Sequence, residues 1–563
     1  MKTFPWAILL TLLFLSVVFC INILASGANL GISDWDQHLA YYESARRTVV
    51  EYRQFPLWDA YHCSGIPALG NPQSEIISLT FLLILAFGTV VGVKISLVAH
   101  FFIGAAGFYL LSRYLKLSRW GAFFASIVFT FSGVTASALA VGMTQFLYFF
   151  YTPYFIYFLL KALKGKKKLV NVLLSSLVLS LMYYGGYQVP ILIIPVLGVF
   201  LVLKSIFDKS LAPVVIGISL FILFTLFSSP KLYLNFKLMS AYPREIEDIS
   251  GYNLGNLIYF TISPKQNIGL HLDIRDFSYG IDENSLYLGI IPVIFFLIGI
   301  VKTKNKPLVY ILGLVVLWLM LGNTTDFSLY ELLRKLPLYD NFRVAQRFRF
   351  VFLIIFSLLA ARGYEYLRGR FKNYQMFLNT IPLLVFVLLF NFANRNLLNY
   401  AFIVDPDVGG IKSYPKTNYP INVDSLRVDY RYLGGYEEVE QSLASYKPAS
   451  NEFIAVGRGL ATTDCYDPIP TQRSAAAYGS KSYLGYAHKN GKVQEVQYWS
   501  PQKMTISLSE KGEGVLTINQ SYDPGWHAKT ANGEPRRLFS KGNLIGVNTL
   551  AGDNKIILYY NPF

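Results

Sequence analysis

The chain has 563 residues, of which 53% are hydrophobic and only 15% are charged, and its formal net charge is +16. Such an apolar composition excludes an ordinary soluble globular domain. The positive charge does not indicate nucleic acid, because lysines and arginines beside apolar spans are the usual orientation signal of membrane proteins. We therefore predict a mainly α-helical, polytopic membrane protein whose partners include membrane lipid and no nucleic acid.

Apolar runs that can cross a hydrocarbon core of roughly 30 Å recur along residues 1–393. The sequence predicts about eleven transmembrane helices, at 4–26, 92–112, 119–140, 146–163, 169–184, 188–204, 211–230, 286–302, 307–322, 347–367 and 375–393. The run at 76–88 is too short to cross, so we interpret it as a half-helix or a re-entrant segment. The first span is predicted to be an uncleaved anchor, and a cleaved signal peptide is the alternative.

The stretches between the predicted spans alternate in charge. Basic residues cluster at 113–119, 161–168, 204–209, 302–306 and 368–372. By the positive-inside rule these stretches are cytoplasmic, which places 27–91, 231–285 and 323–346 outside. We therefore predict a multi-pass protein of the cell membrane (plasma or inner) with a cytoplasmic N-terminus and an extracytoplasmic C-terminal region.

The composition changes at about Asn394, after which the chain is polar and rich in Tyr, Gly, Pro and Asn. Period-2 alternation of apolar and polar residues, the pattern of half-buried strands, occurs at Met504–Leu508, Gly514–Asn519, Leu544–Asn548 and Lys555–Tyr560. Turn-forming residues separate these segments at 523–525, 532–533 and 552–553. We predict a helical domain at 1–393, with an external loop at 27–91, and a small β-sandwich domain at 394–563.

The external loop begins with Asp34-Trp35-Asp36-Gln37-His38. A carboxylate at the outer face can act as a general base toward a hydroxyl group, and desolvation beside Trp35 would raise its pKa. The alternative is that Ser33 or Asp34 caps a helix from about 35 to 53, with the carboxylates at its positive end. These roles do not exclude each other, so Asp34 and Asp36 are both candidate bases, and Gln37 and His38 are candidate substrate ligands.

Further along this loop, Pro and Gly residues enforce a defined irregular path around Trp58, His62 and Gln73. Trp58 and His62 either stack on a sugar or form part of an aromatic belt at the membrane interface. We include all three as candidate substrate ligands.

Arg343 lies just before the predicted span 347–367, and Arg347 and Arg349 lie at its start, on the side where positive charge is not expected. A lipid phosphate suits the planar, multi-donor guanidinium group. The alternatives are ordinary phospholipid head groups, or pairing with Asp340 or Glu331. Glu283, at the entry to another predicted span, is either a site carboxylate or a helix start.

Other site classes have little support. No HExxH, GxSxG or P-loop motif is present, which argues against zinc proteases, serine hydrolases and P-loop nucleotide enzymes. Cys20, Cys63 and Cys465 show no metal-binding spacing, although a Cys63–Cys465 disulfide is an alternative if both face outside. His100, inside a span, is predicted to be a hydrogen-bonded core residue. We assign no metal ligand.

In order along the chain, these segments resemble the YfhO-like bacterial membrane proteins, within the GT-C superfamily of polyprenyl-phosphate-dependent glycosyltransferases. The resemblance rests on Asp34 with Gln37, PLW at 56–58, SGIP at 64–67, NPQ at 71–73, 283–289, 342–347, 522–526 and 559–562.

The resemblance implies a GT-C bundle whose first external loop carries the catalytic Asp, which Asp34 matches by position, with Asp36 as the runner-up. Arg343 and Arg347 would match a site for the donor phosphate. The implied enzyme is an inverting hexosyltransferase that moves a sugar from a polyprenyl-phosphate donor to an envelope glycan, glycolipid or glycopolymer. No cofactor is assigned, and assistance by a divalent cation is left open.

Two departures from the family pattern remain. No apolar span follows the predicted sandwich, and the second Asp of Asp34-Trp35-Asp36 leaves the identity of the base open. The rival hypotheses are a transporter or lipid flippase for envelope precursors and a non-enzymatic envelope-assembly protein. A transporter needs ionisable groups inside its spans, and the predicted span interiors are nearly devoid of them.

Overall fold

The computed structural model describes residues 6–28, 30–31, 33–165, 167–241, 250–266, 280–303, 306–336, 339–396, 401–402, 404–409, 411–424, 426, 428–432, 451–463, 475–510 and 512–563. The first 396 residues are mainly helical, and the strands lie mostly in the C-terminal part. Within the described residues, eight helical stretches are long and apolar enough to cross a membrane: Thr89–Tyr114, Arg119–Ala140, Thr144–Lys164, Lys168–Gly185, Gln188–Asp208, Ala212–Ala241, Ala345–Arg370 and Lys372–Ala393.

These eight stretches coincide with eight of the predicted spans and confirm a polytopic helical architecture. The other three predicted spans fall on shorter apolar helices, Trp6–Phe19, Ile290–Lys302 and Pro307–Met320. The half-helix predicted at 76–88 is the helix Leu79–Phe87, which Ser78 caps by accepting the N–H of Phe81. It ends at Gly88, whose φ of +82° suits glycine and turns the chain into the next helix.

The individual helices, including short 3₁₀ segments, are Trp6–Phe19, Ile21–Ala25, Trp35–Val50, Leu79–Phe87, Thr89–Tyr114, Arg119–Thr130, Gly133–Ala140, Thr144–Tyr151, Thr152–Lys164, Lys168–Gly185, Gln188–Asp208, Ala212–Ala241, Leu254–Ile262, Ile281–Asn284, Ile290–Lys302, Pro307–Met320, Leu329–Arg334, Ala345–Phe348, Arg349–Arg370, Lys372–Tyr374, Gln375–Asn396 and Glu452–Gly457. We call Trp35–Val50 the loop helix and Glu452–Gly457 the C-terminal short helix.

Two glycines bring a pair of helix backbones into contact. A Cβ atom on Gly299 would collide with the carbonyl oxygen of Leu359, and one on Gly363 would collide with the carbonyl oxygen of Phe295. Small residues at such crossings let helices approach closely, which favours packing where lipid supplies no hydrophobic driving force. Ile290–Lys302 and Arg349–Arg370 are therefore held together by backbone proximity.

The C-terminal part contains two five-stranded antiparallel sheets. In spatial order the first contains Pro535–Arg536, Trp526–Thr530, Lys555–Tyr560, Lys503–Ser507 and Glu495–Ser500, and the second contains Leu538–Lys541, Leu544–Thr549, Gly514–Ser521, Ala487–Lys489 and Lys492–Val493. Inner-face pairs such as Ile506 with Ile556 and Leu516 with Val547 are fully buried in one apolar cluster. The four predicted strands and the predicted sandwich are confirmed.

Three short strand pairs lie outside the sandwich: Trp58–Asp59 with Ile66–Pro67, Val404–Asp407 with Asp429–Tyr432, and Ile421–Val423 with Leu460–Thr462. Apolar residues between 401 and 460 share the core of the helical part, whereas Trp58 and Tyr61 of the external loop join the core of the sandwich. The external loop and the C-terminal region are thus packed into each other.

We expect Gly363→Ala to destabilise the protein by roughly 1–3 kcal/mol, because a new methyl group must separate two backbones already in contact. Gly369→Ala in the same helix is the matched control, since a Cβ atom there meets nothing within 4 Å. Thermal unfolding of the detergent-solubilised variants gives the comparison. Equal midpoints for the two variants would contradict this packing.

Candidate functional site

The start of the loop helix is fixed against the helical bundle. Trp35 donates its indole N–H to the carbonyl oxygen of Leu139 at 2.8 Å. The backbone N–H of Asp34 donates to the carbonyl oxygen of Val141 at 2.9 Å. Gly142, with a φ of +92°, packs against the Trp35 backbone so closely that a Cβ atom would collide with it. The backbone position of Asp34 is therefore set by the bundle.

Asp34 occupies the N-cap position of the loop helix, but its side chain does not perform the capping that the alternative predicted. Its carboxylate makes no capping bond, and the helix ends at Val50 rather than at 53. The Asp34 side chain is partly exposed and accepts a long hydrogen bond, 3.4 Å, from the hydroxyl of Ser33. Burial, with help from the charge of Glu283, raises the pKa of Asp34 to about 6 despite the opposing charges of Arg347 and Arg343.

Beside Asp34 lies an ion pair between the buried Glu283 and the partly buried Arg347. The Arg347 Nε donates to both Glu283 carboxylate oxygens at 3.0 Å, Nη2 also contacts that carboxylate, and Nη1 donates to Gln188 Oε1 at 2.7 Å. Burial alone would raise the pKa of Glu283, but the nearby arginines hold it below its ordinary value. The partner of Arg347 is thus Glu283, and neither Asp340 nor Glu331 takes that place.

The other two arginines occupy different environments. Arg349 is fully buried, and its guanidinium donates to the carbonyl oxygen of Asp282 at 2.7 Å. Arg343 has an exposed side chain, and its charge acts on both Asp34 and Glu283. Of the three arginines, Arg343 presents its guanidinium toward the surface beside Asp34.

Asp36 is buried and binds the C-terminal short helix. Its carboxylate oxygens accept the backbone N–H groups of Glu452 at 2.7 Å and Phe453 at 3.0 Å. Burial and the charge of Glu452 raise the pKa of Asp36 to about 7. Asp36 thus accepts the first N–H groups of a helix more than 400 residues away, a contact that was not predicted from the sequence. Between the two candidate bases, the geometry favours Asp34.

The candidate ligands Gln37 and His38 are both buried. Gln37 donates to the hydroxyl of Tyr41 at 2.8 Å. His38 is 1% exposed, and burial lowers its pKa to about 4. Neither side chain has surface available to a substrate in this structure.

The candidates farther along the loop are also largely internal. Trp58 is 1% exposed and packs against the rings of Trp526 and Tyr560 in the sandwich. His62 lies between Asp59 and Glu452. Gln73 is partly buried, and its backbone N–H donates to Asn71. Trp58 and His62 therefore contact the C-terminal region, and a sugar-stacking role for them stays a prediction.

A second buried polar cluster contains Glu75 and Lys231, and it was not predicted from the sequence. Glu75 accepts a hydrogen bond from the hydroxyl of Thr144 at 2.7 Å, and Tyr42 donates to the same hydroxyl at 3.1 Å. Lys231 donates to the carbonyl oxygens of Ser74 and Tyr184 at 2.6 and 3.0 Å. A cavity of about 20 Å³ lies beside Glu75, large enough for roughly one water molecule. Burial raises the pKa of Glu75 to about 7.

The sequence signal for this cluster was a lysine one residue beyond a predicted span. The helix Ala212–Ala241 continues past the predicted end at 230, so Lys231 lies within it. Lys94 likewise lies inside Thr89–Tyr114, where it donates to the carbonyl oxygens of Ser26 and Ala28. The expectation that spans are nearly free of charge therefore needs correction at these two lysines. His100 is a core residue as predicted, bonded to the carbonyl oxygen of Ser96.

Two of the three cysteines lie among the described residues. Cys63 is in a disulfide and Cys20 is free and buried, while Cys465 lies outside the described residues. Among the described residues, no group of three or more His, Cys, Asp and Glu side chains is arranged to hold a metal ion. The role of a divalent cation stays an open expectation.

No family model matches the chain, and no curated protein matches it significantly. The YfhO-like assignment therefore stays a prediction. The solved structures that are similar in shape include the following two. ArnT from Cupriavidus metallidurans, bound to undecaprenyl phosphate, aligns at 11% identity with a TM-score of 0.39, over 64% of this chain and 59% of that one. The Archaeoglobus fulgidus oligosaccharyltransferase, in the apo form, aligns at 12% identity with a TM-score of 0.45, over 84% of this chain and 65% of that one.

This chain thus spans less than two thirds of the length of either structure. At these identities and scores the similarity does not transfer an activity. A functional assignment has to rest on the residues around Asp34.

We expect Arg347→Ala to destabilise the protein strongly, by roughly 3–5 kcal/mol, because it leaves the buried Glu283 carboxylate without its main charge partner. Arg343→Ala removes the same side chain from an exposed position and should change stability by no more than about 0.5 kcal/mol. Thermal unfolding midpoints in one detergent compare the two variants. Similar losses in both would contradict the assignment of Arg347 to an internal ion pair.

Proposed function

We propose that this protein is a membrane glycosyltransferase of the GT-C type that moves a sugar from a polyprenyl-phosphate donor to an extracytoplasmic acceptor. The observation that carries the proposal is the position of Asp34. It is a partly exposed carboxylate at one end of a helical bundle, beside the Glu283–Arg347 ion pair and the exposed Arg343. A base and an arginine next to each other at a membrane face suit transfer from a lipid phosphate.

Asp34 has the acid–base properties that the reaction requires. With a pKa of about 6 it is mostly ionised at neutral pH, yet it is a stronger base than an ordinary aspartate. In an inverting displacement, Asp34 takes the proton of the acceptor hydroxyl while that oxygen attacks the anomeric carbon. The bond between that carbon and the donor phosphate oxygen breaks, and its electron pair leaves with the polyprenyl phosphate.

The donor phosphate carries the charge that develops on leaving. An exposed guanidinium offers several N–H donors to phosphate oxygens, and we assign this role to Arg343. Arg347 is bound to Glu283 and Gln188, so we assign it the role of neutralising the Glu283 carboxylate next to Asp34. The donor sugar and the acceptor (envelope glycan, glycolipid or glycopolymer) are proposals of the same kind.

The site is proposed to face the extracytoplasmic side of the cell membrane. By the positive-inside rule the basic clusters of the sequence, such as 161–168 and 302–306, are cytoplasmic, which leaves the loop that contains Asp34 on the opposite side. The disulfide at Cys63 in the external loop also supports this side, because disulfides persist in oxidising compartments.

A lipid transporter is the second candidate, supported by one observation. Lys231 and Glu75 are ionisable and almost fully buried, Glu75 lines a cavity, and Lys231 lies within a long apolar helix. Buried ionisable groups of this kind mark conduction pathways in some membrane proteins. A transporter would move a polyprenyl-phosphate sugar without breaking its glycosidic bond, which the following experiment detects.

The test uses purified protein in lipid nanodiscs with a panel of polyprenyl-phosphate hexoses and an envelope glycan fraction as acceptor. We expect wild-type transfer to rise as the pH passes about 6, since Asp34 must be deprotonated to act as the base, and then to level off. Asp34→Asn should lower the transfer rate by roughly 10²–10⁴. Its thermal midpoint should hardly change, because Asp34 makes no capping bond.

Arg343→Ala is the complementary variant in the same assay. It should weaken donor binding by roughly 1.5–3 kcal/mol if the guanidinium contacts the donor phosphate, and the acid limb of its pH profile should remain. Full transfer by a well-folded Asp34→Asn protein would eliminate the general-base mechanism. Movement of intact donor lipid across liposomes without transfer, in wild type and Asp34→Asn alike, would instead select the transporter.

The orientation has its own test in intact cells. Single cysteines at the exposed positions Lys167 and Asn532 are treated with a membrane-impermeant thiol reagent. We expect modification at 532 but not at 167, because the basic connection is cytoplasmic and the sandwich is outside. The opposite pattern would reverse the topology. Permeabilised cells, in which both positions react, provide the control.

A further inference from the structure

The C-terminal short helix is joined to the first turn of the loop helix by buried polar contacts. The Asp36 carboxylate accepts two successive N–H groups at the beginning of the short helix, from Glu452 and Phe453, at 2.7 and 3.0 Å. Asp36 is 5% exposed and Glu452 is 2% exposed. Because these N–H groups have no partner within their own helix, a carboxylate is the natural acceptor for them.

His62 provides a second contact between the external loop and the C-terminal short helix. Its Nδ1 lies 2.8 Å from Asp59 Oδ2, and its Nε2 lies 3.2 Å from Glu452 Oε2. Asp59 is held in turn by the hydroxyl of Ser44, on the loop helix, at 2.6 Å. Burial alone would lower the pKa of His62, but Asp59 and Glu452 raise it to about 10, so the imidazole is charged at neutral pH. A cation between two buried carboxylates connects the external loop to the short helix.

A third contact with the C-terminal short helix lies farther along the loop helix. The Arg47 guanidinium donates to the carbonyl oxygen of Val456 at 2.6 Å, at the other end of the short helix. The short helix therefore runs alongside the loop helix and contacts it at both ends. These hydrogen bonds, at Asp36 and at Arg47, hold the loop helix over several turns.

Asp34 lies between these contacts with the C-terminal short helix and the helical bundle. The bundle holds the backbone of Asp34 and the indole of Trp35 through the carbonyl oxygens of Val141 and Leu139. The C-terminal short helix holds the side chain of Asp36, two residues later. Since one helical turn takes 3.6 residues, both anchors act within a single turn. Together they determine the rotation of that turn, and with it the direction of the Asp34 side chain.

We propose that Asp36, Glu452 and His62 are positioning residues, through which the C-terminal region orients Asp34 for proton abstraction. This inference rests on the proposed function for its catalytic consequence. It makes the C-terminal region part of the site, although none of its residues has to touch the reacting atoms. Loss of the anchor should slow the chemical step and leave binding of the donor phosphate, assigned to Arg343, unchanged.

The experiment compares Asp36→Ala, which removes both accepted hydrogen bonds, with Asp36→Asn, which keeps one oxygen acceptor. We expect Asp36→Ala to lower kcat by roughly 10–10²-fold, as a misplaced catalytic group does, with an unchanged KM for the polyprenyl-phosphate hexose. Its acid limb should move below pH 6, because a loosened first turn leaves Asp34 better hydrated. Asp36→Asn should recover part of kcat and is the measurable variant if Asp36→Ala fails to fold.

Hydrogen exchange provides a readout that needs no substrate. In Asp36→Ala, peptides covering 33–40 should exchange faster than in wild type, because an anchor of that turn is gone. Ser118→Ala is the matched control, since Ser118 caps another helix by accepting the N–H of Gly121 at 3.1 Å. It removes a capping bond from Arg119–Thr130, and should leave kcat, the acid limb and exchange at 33–40 as in wild type.

Two outcomes would overturn the inference. Unchanged exchange at 33–40 in Asp36→Ala would show that the short helix does not hold that turn. Faster exchange with kcat and acid limb equal to those of Ser118→Ala would reduce the contact to ordinary stabilisation. If wild type transfers no sugar from any donor, the proposed function fails separately, and exchange alone decides whether the short helix holds this turn.

Discussion

The structure depends on how the first turn of the loop helix is held between two bodies of the protein. On one side the helical bundle offers carbonyl oxygens to Trp35 and to the backbone of Asp34. On the other side the C-terminal short helix offers backbone N–H groups to Asp36. These directional bonds form in a buried setting, where an unmade hydrogen bond is costly, so they leave the turn little freedom. A partly exposed carboxylate at Asp34 is the result.

Burial also explains how charge is arranged around that carboxylate. Glu283 and Arg347 compensate each other, and Asp282 contributes a carbonyl oxygen to the buried Arg349. Removing one member of such a pair is far more costly than losing a surface contact, which explains why neighbouring arginines can have such different roles. Arg343 stays exposed beside Asp34. The proposed chemistry therefore uses the exposed Arg343 and the partly exposed Asp34.

The main elements were predictable because their signals are local. Runs of apolar residues of membrane-crossing length gave the spans, and period-2 alternation gave the four strands of the sandwich. The short helix Leu79–Phe87 followed from the length of its apolar run. Two alternatives that relied on residues close in sequence did not hold in the structure. Capping by Asp34 in its own helix and pairing of the arginines with Asp340 or Glu331 were these two alternatives. In the structure Asp34 makes no capping bond and Arg347 pairs with Glu283.

By itself the sequence determined the class of protein, the order of its helices and strands, and a short list of polar residues that includes Asp34, Asp36 and Arg343. Only the tertiary structure decided which of them are available to a substrate. In the structure Asp36 accepts the backbone N–H of Glu452, 416 residues away, and Trp58 and His62 are buried against the C-terminal region. The physical reason is that hydrophobic periodicity, which indicates helices and strands, is a property of residues adjacent in sequence. The burial and the partners of a charged group are instead set by whatever segment the fold brings beside it.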